Sequence, residues 1–267
     1  MRTFKLIVSY DGTDFSGFQR QSNARSVQAD IETALASIAG KHVTVTGAGR
    51  TDSGVHALGQ VISFTLELNL EESDLLRALN ANLPEDVRVL SAEAAAPDFS
   101  ARFSARSKMY RYRISNTRVM SPFQRRFAWH VSRALDMNAM NEAARELLGE
   151  HDFGSFQGAP TKSERSKSAA NMEKDTTRTV TRSVWTEEPL TGGGRLLIYE
   201  VEGTGFLKYM VRAVVGTLVE VGDGRRTLAS VRKLLQFKDR GAAGPTAPPA
   251  GLYLVRGDSD QAAPVSF

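Results

Sequence analysis

The chain contains no cysteine. Disulfides and thiolate metal sites are excluded, and a reducing cytoplasm is the expected location. It also lacks any apolar run of the roughly 18 residues that a membrane-spanning helix needs. The N-terminal M-R-T-F-K-L-I-V-S-Y has too short an apolar run for a signal peptide, so no membrane partner is expected. His42, His56, His130 and His151 are scattered without metal-ligand spacing, so no metal is expected. Without cysteine ligands a zinc deaminase is excluded. The phosphate loop G-x-x-x-x-G-K-[ST] is absent. The dinucleotide pattern G-x-G-x-x-G starts at Gly47 and Gly49 but meets Asp52 where its third glycine belongs. The expectation is a chain that works without a cofactor.

A further absence is local. Residues 101–133 carry nine basic residues (Arg102, Arg106, Lys108, Arg111, Arg113, Arg118, Arg125, Arg126 and Arg133) and no acidic one, although the net charge of the chain is only +4. Phe103, Tyr110, Tyr112, Phe123, Phe127 and Trp129 are interleaved among them. Basic groups among aromatic platforms suit phosphates and unstacked bases. The competing reading is a solvated strand face with core aromatics.

Chemistry concentrates in residues 47–64, G-A-G-R-T-D-S-G-V-H-A-L-G-Q-V-I-S-F. One carboxylate, Asp52, stands among Arg50, Thr51, Ser53 and His56, in a glycine-bracketed loop. Ile62, Phe64 and Leu66 then alternate with Ser63, Thr65 and Glu67, which predicts a half-buried strand. On the residues alone, Asp52 is either a turn cap or a lone carboxylate serving as nucleophile or base.

The pattern predicts an α+β protein. Residues 3–10 form a strand and 11–25 a polar loop. Ser26 caps a helix through Val27, Ile31, Leu35 and Ile38, which Gly40 ends. Strands at 42–46 and 59–67, a helix through Leu75, Leu76 and Leu79, and a strand at 86–96 complete β-α-β-β-α-β, a ferredoxin-like unit. The second half is expected to repeat that order without sequence identity. A strand at 108–115 leads to a helix capped by Asp136 and closed by Gly149. A short strand begins at His151, and a hairpin follows around T-G-G-G. An apolar helix at 206–221, a helix from Thr227 to Phe237 and a strand at 251–256 end the chain. The expected division is 1–104 and 105–267, two RRM-like halves with largely antiparallel sheets side by side and the active-site cleft between them. Residues 158–176, rich in Ser and Lys, read as a mobile surface loop.

Several blocks carry a resemblance: F-S-G-F-Q-R-Q at 15–21, S-V-Q at 26–28, G-R-T-D-S-G-V-H-A at 49–57, K-M-Y-R-Y at 108–112, H-D-F at 151–153, G-F-L-K-Y-M-V-R at 205–212 and G-L-Y-L-V at 251–255. In this order they closely resemble the TruA family of tRNA pseudouridine synthases over nearly the whole chain. The resemblance implies an enzyme that isomerises uridine to pseudouridine at positions 38 to 40 in the anticodon stem-loop of tRNA, as a homodimer. It also implies that Asp52 is the nucleophile and that Tyr110 packs on the flipped base and assists proton transfer. By the same resemblance, Arg212 pairs with Asp52, and Leu252 lines the base pocket. Arg50, Thr51, Arg20, Gln21, Arg125 and Arg126 are the remaining expected substrate contacts. Where the family usually has Trp in F-x-G-W-Q, this chain has Phe18, which keeps an aromatic surface but loses the indole donor. A two-module RNA-binding protein or chaperone without catalysis is the alternative.

Overall fold

A computed structural model describes residues 1–68, 70–158 and 175–258. Of the loop expected at 158–176, all but Gly158, Asp175 and Thr176 fall outside the described residues. The protein is mixed α+β and divides into two compact units. The first contains Met1–Arg111 and the C-terminal segment that begins at Pro249, and the second is Tyr112–Pro248.

In the first unit the elements run β1 (Arg2–Tyr10), α1 (Val27–Ala39), β2 (Thr46–Gly47), β3 (His56–Leu66), α2 (Glu72–Asn82) and β4 (Val87–Ala95). Antiparallel pairing sets Leu6 opposite Ile62 and Phe4 opposite Phe64, and β4 lies on the other side of β1. The alternation in β1 and β3 thus meets on one face. Phe4, Leu6, Val8, Ile62 and Phe64 are buried there, and burial of each stabilises by about 1.5–3 kcal/mol. Val27, Ile31 and Leu35 of α1 and Leu75 and Leu79 of α2 are fully buried at helical spacing. Gly40 ends α1 in the left-handed conformation (φ 68°). Ser26 takes the N-cap position with extended backbone, but its hydroxyl is buried and makes no cap hydrogen bond.

The second face of β3 is not solvated, as a half-buried strand would require. Val61 packs with Ala48 and Ala101, flanked by Phe99 and Ala105, and the Ala101 N–H donates to Ser63 Oγ at 3.0 Å. The polar residues of that face, Lys5 of β1 and Ser63 of β3, are therefore buried, while Thr65 stays exposed. The chain leaving β4 supplies this cover, and nothing in the local pattern of β3 announces it.

The C-terminal strand β10 (Leu252–Asp258) joins the first unit, parallel to β3, with Tyr253 opposite His56 and Leu254 opposite Ala57. The structural division therefore falls at 111/112, not 104/105, and the last strand does not stay with the second half. The cause is a long-range backbone ladder that leaves no trace in local periodicity.

β5 (Ser107–Asn116) carries the chain from the first unit into the second. There β6 (Trp129–His130) pairs with it in parallel. Asp136 caps α3 (Met137–Arg145), accepting from the Asn138 and Ala139 N–H groups. β7 (Gly149–Asp152), β8 (Thr177–Pro189) and β9 (Arg195–Gly203) form an antiparallel run. The apolar helix α4 (Met210–Gly222) and α5 (Leu228–Gln236), capped by Thr227 Oγ1, complete the unit. Against the expected repeat, three strands stand between α3 and α4, and a second helix follows α4. No described helix is long and apolar enough to cross a membrane.

Candidate active site

Asp52 sits in the loop between β2 and β3, in the first unit. The backbone on both sides of it is pinned. The Ala48 N–H donates to Val61 O at 2.8 Å, and Gln60 Nε2 donates to Gly49 O at 2.9 Å. Phe18 N–H donates to Thr51 O at 3.2 Å, and Thr51 Oγ1 is 2.8 Å from Tyr10 OH in a buried contact. After Asp52, Gly54 N–H and Ser53 Oγ both reach Phe15 O at 3.2 Å. Thr51 is buried, Asp52 half-buried and Arg50 exposed. The F-S-G-F-Q block and the G-R-T-D block are thus one structure: the first holds the second.

Gly54 has φ +74°, and a Cβ there would lie 2.9 Å from Pro249 Cγ, so a side chain is excluded on both counts. The turn Pro249–Gly251 closes on the loop at that point and leads into β10. Leu252, buried, precedes the residue that faces His56. The His56 ring stacks on Tyr253 at 4.8 Å, and its Nδ1 accepts the Gly12 N–H at 3.0 Å.

Tyr110, on β5, is buried. Burial pushes its phenol well above the usual range, and the negative charge of Asp52 pushes it further the same way. Tyr10 is raised chiefly by burial, against the opposing hydrogen bond from Thr51, and it too feels Tyr110. The structure therefore gathers Asp52, Thr51, Tyr10 and Tyr110 into one electrostatic neighbourhood. At neutral pH both phenols keep their protons. Tyr110 is then equipped to donate a hydrogen bond or present its ring, and not to act as a phenolate base.

In the second unit, Tyr209 immediately precedes α4 with φ 61°, the one non-glycine residue among those described with positive φ. Such a conformation costs on the order of 1–3 kcal/mol. It puts the Tyr209 ring 5.1 Å from the Arg212 guanidinium. Arg212 Nε donates to Ala247 O at 2.7 Å, and the Ala247 N–H donates back to Arg212 O at 3.0 Å. Tyr112 is raised by burial, and the Arg212 charge acts the other way. Sequence reasoning placed Arg212 on this helix but missed Tyr209, because a tyrosine near the start of an expected helix carries no sign of left-handed backbone.

With this geometry in hand, comparison with known proteins is direct. A family model described as tRNA pseudouridine synthase matches residues 6–104 and 143–258. A tRNA pseudouridine synthase A of Streptococcus equi subsp. equi is 43% identical over 95% of this chain and 97% of its own length. One from Afipia carboxidovorans is 44% identical over 97% of this chain and 100% of its own. One from Streptococcus pneumoniae is 43% identical over 95% and 97%. The chain belongs to the tRNA pseudouridine synthase family. It is therefore an isomerase of the kind that acts on tRNA uridines.

The other expected contacts of this synthase divide unevenly. Arg20 Nε lies 3.2 Å from Oε2 of the buried Glu32, in an ion pair that is not aligned as a hydrogen bond. Gln21 is exposed, and its Nε2 donates to Ser16 O at 2.8 Å. Arg125 and Arg126 are exposed in the segment before β6. Arg133, at the end of the basic stretch, pairs with Asp223. The counter-charge missing from the sequence window is thus supplied from 90 positions away. Among the described residues there is no group of three or more His, Asp or Glu placed to hold a metal ion.

Proposed function

We propose that this synthase converts uridine to pseudouridine at positions 38, 39 and 40 of the tRNA anticodon stem-loop, with Asp52 as its nucleophile. The observation that carries the reading is the Asp52 loop itself. It is hydrogen-bonded on both flanks, leaves the carboxylate half-exposed, and stands close enough to the buried Tyr110 to raise its phenol. In the reaction the ribose C1′–N1 bond breaks and a C1′–C5 bond forms. The C5 hydrogen leaves to solvent and N1 gains one. Asp52 has three routes open to it: attack on the sugar, abstraction of a sugar proton, or addition to the base. All three need an ionised carboxylate beside an unstacked nucleotide, and none needs a cofactor.

Tyr110 offers its ring to the extruded base and its protonated hydroxyl to a hydrogen bond. Leu252 supplies an apolar wall from the strand beside β3. Arg212 keeps the Asp52 carboxylate ionised, since a nearby guanidinium favours the charged form. Extruding a base costs about a few kcal/mol, which remote phosphate contacts offset. The same reading takes each half as an RRM-like module facing a common cleft, working as a homodimer in the cytoplasm. The element order of the first unit supports the first of these modules.

Release of tritium from tRNA labelled at uracil C5 tests the reading, because only isomerisation exchanges that hydrogen. Asp52→Asn is expected to abolish release while leaving tRNA affinity within a few fold. Losing a nucleophile costs many orders of magnitude in rate, whereas losing a half-buried turn residue costs about 1 kcal/mol of stability. Wild-type release by a folded Asp52→Asn protein would remove Asp52 from the chemistry and leave it the role of a turn cap.

A further inference from the structure

Lys108 begins K-M-Y-R-Y, two residues before Tyr110 on β5. Its side chain is partly buried and makes no ion pair among the described residues. A Cβ built on Gly49 would lie 3.1 Å from Lys108 Cε and 3.5 Å from Cδ, and would meet nothing else within 4 Å. The lysine stem therefore crosses the catalytic loop at Gly49, three residues before Asp52, and uses the space left by the missing side chain. Burial lowers the ammonium below the ordinary lysine range, and no carboxylate acts in the opposite direction. Among the described residues nothing accepts a hydrogen bond from it, and none of their carboxylates pairs with it. Arg50, next along the loop, is exposed and likewise has no carboxylate partner among them.

A half-buried ammonium without a counter-charge is costly, and the cost falls when an anion arrives. Two cations without a carboxylate partner among the described residues, one with its stem against Gly49 and the other on the next residue of the loop, form a site for a single anionic group. We propose that Lys108, with Arg50, holds one phosphodiester of the RNA backbone beside the nucleotide presented to Asp52. The proposal rests on the tRNA reading above and names a contact within it. Lys108 acts here as a substrate anchor. Asp52 does not serve as its internal counter-ion, because a neighbouring carboxylate would raise the ammonium instead of leaving burial to lower it. Gly49 has its own part: it is the gap through which the lysine reaches the phosphate.

The test measures binding of unmodified tRNA by the full chain across a salt series, with single-turnover tritium release in parallel. For Lys108→Met, affinity is expected to fall about three- to tenfold at ~0.1 M salt, and the slope of log K against log salt to drop by about 0.7–0.9, the value of one phosphate contact. The half-saturating tRNA concentration should rise far more than the limiting rate falls. Lys108→Arg should keep the wild-type slope. Gly49→Ala retains the charge but crowds only a flexible stem, so it should weaken binding in the same direction. Combining it with Lys108→Met should add little, and this also covers the case in which Lys108→Met folds poorly. A wild-type salt slope in folded Lys108→Met, or full additivity with Gly49→Ala, would overturn the proposal while leaving the isomerase reading intact. A wild-type protein that neither binds tRNA nor releases tritium would overturn both.

Discussion

The loop at 11–25 and the segment at 117–128 both offer arginines that the sequence marks for RNA, yet the two regions use them differently. In the first, the charges are committed to carboxylates of the protein itself. Arg25 forks to Asp30 and Asp86 and lies 4.1 Å over the Phe15 ring, and Arg20 pairs with buried Glu32. In the second, the side chains face outward. Arg125 makes no hydrogen bond or ion pair among the described residues, and Val119 and Phe123 are 78% and 88% exposed. The difference has a local origin. The first loop must brace the backbone around Asp52, through Phe15 and Phe18, so its polar groups are drawn into that frame. The second lies between β5 and β6 in the chain. A basic residue in a sequence therefore marks an RNA contact only where no carboxylate in the fold claims it first.

The largest effect that would sharpen this contrast is expected at Glu32. One of its oxygens accepts both the Gln28 Nε2 hydrogen at 2.9 Å and the Val45 N–H at 3.1 Å, and the residue is 2% exposed. Glu32→Ala leaves two buried donors unpaired, at about 1–3 kcal/mol each. Denaturant unfolding should show a loss of roughly 2–5 kcal/mol, with salt dependence of tRNA binding unaltered in the protein that remains folded. A loss below about 0.5 kcal/mol would fall within the ordinary range for surface substitutions. It would mean that the first loop is not framed through this carboxylate.

Next in size is the outward segment. Arg125→Ala with Arg126→Ala should leave the melting temperature nearly unchanged. Binding should weaken across all tRNAs alike, with the salt slope falling by about 0.7–0.9 for each phosphate no longer neutralised. An unchanged slope would make these arginines a solvated face and erase the contrast with the first loop.

What was legible in the sequence follows the range of the interactions. Local signals translated well. Asp136 and Thr227 do cap their helices, Gly40 does end α1 in left-handed backbone, and the T-G-G-G hairpin joins β8 to β9. The Asp52 loop stood out because glycines and a lone carboxylate cluster within a few positions. Long-range pairings did not show. β10 reads as a final strand of the second half, and only the Tyr253–His56 register reassigns it. Lys5 sits on the face of β1 away from the core yet is 1% exposed, with Glu93 at 3.3 Å. The left-handed backbone of Tyr209 and the crossing of Gly49 by Lys108 depend on packing that no window of sequence contains.

The smallest effect is predicted for Arg20, and it is the most discriminating. Its side chain is 49% exposed, while the Glu32 side chain it approaches is 2% exposed. Half of the guanidinium is solvated, so the ion pair is screened and contributes no more than about 1 kcal/mol. Glu32 also keeps its two donors when the arginine is gone. Arg20→Ala should therefore cost about 1 kcal/mol or less in unfolding free energy. If the guanidinium is committed to Glu32, the salt slope of tRNA binding should stay at the wild-type value. If it leaves Glu32 for the RNA backbone, the slope should drop by about 0.7–0.9, as for a phosphate contact. Combining Arg20→Ala with Glu32→Gln separates the outcomes further. The amide keeps an acceptor for Val45 but removes the charge. A committed Arg20 then loses its internal partner, and removing it should no longer cost stability. A slope that drops in Arg20→Ala alone would show that the two loops share one task, and the contrast between them would reduce to one of burial.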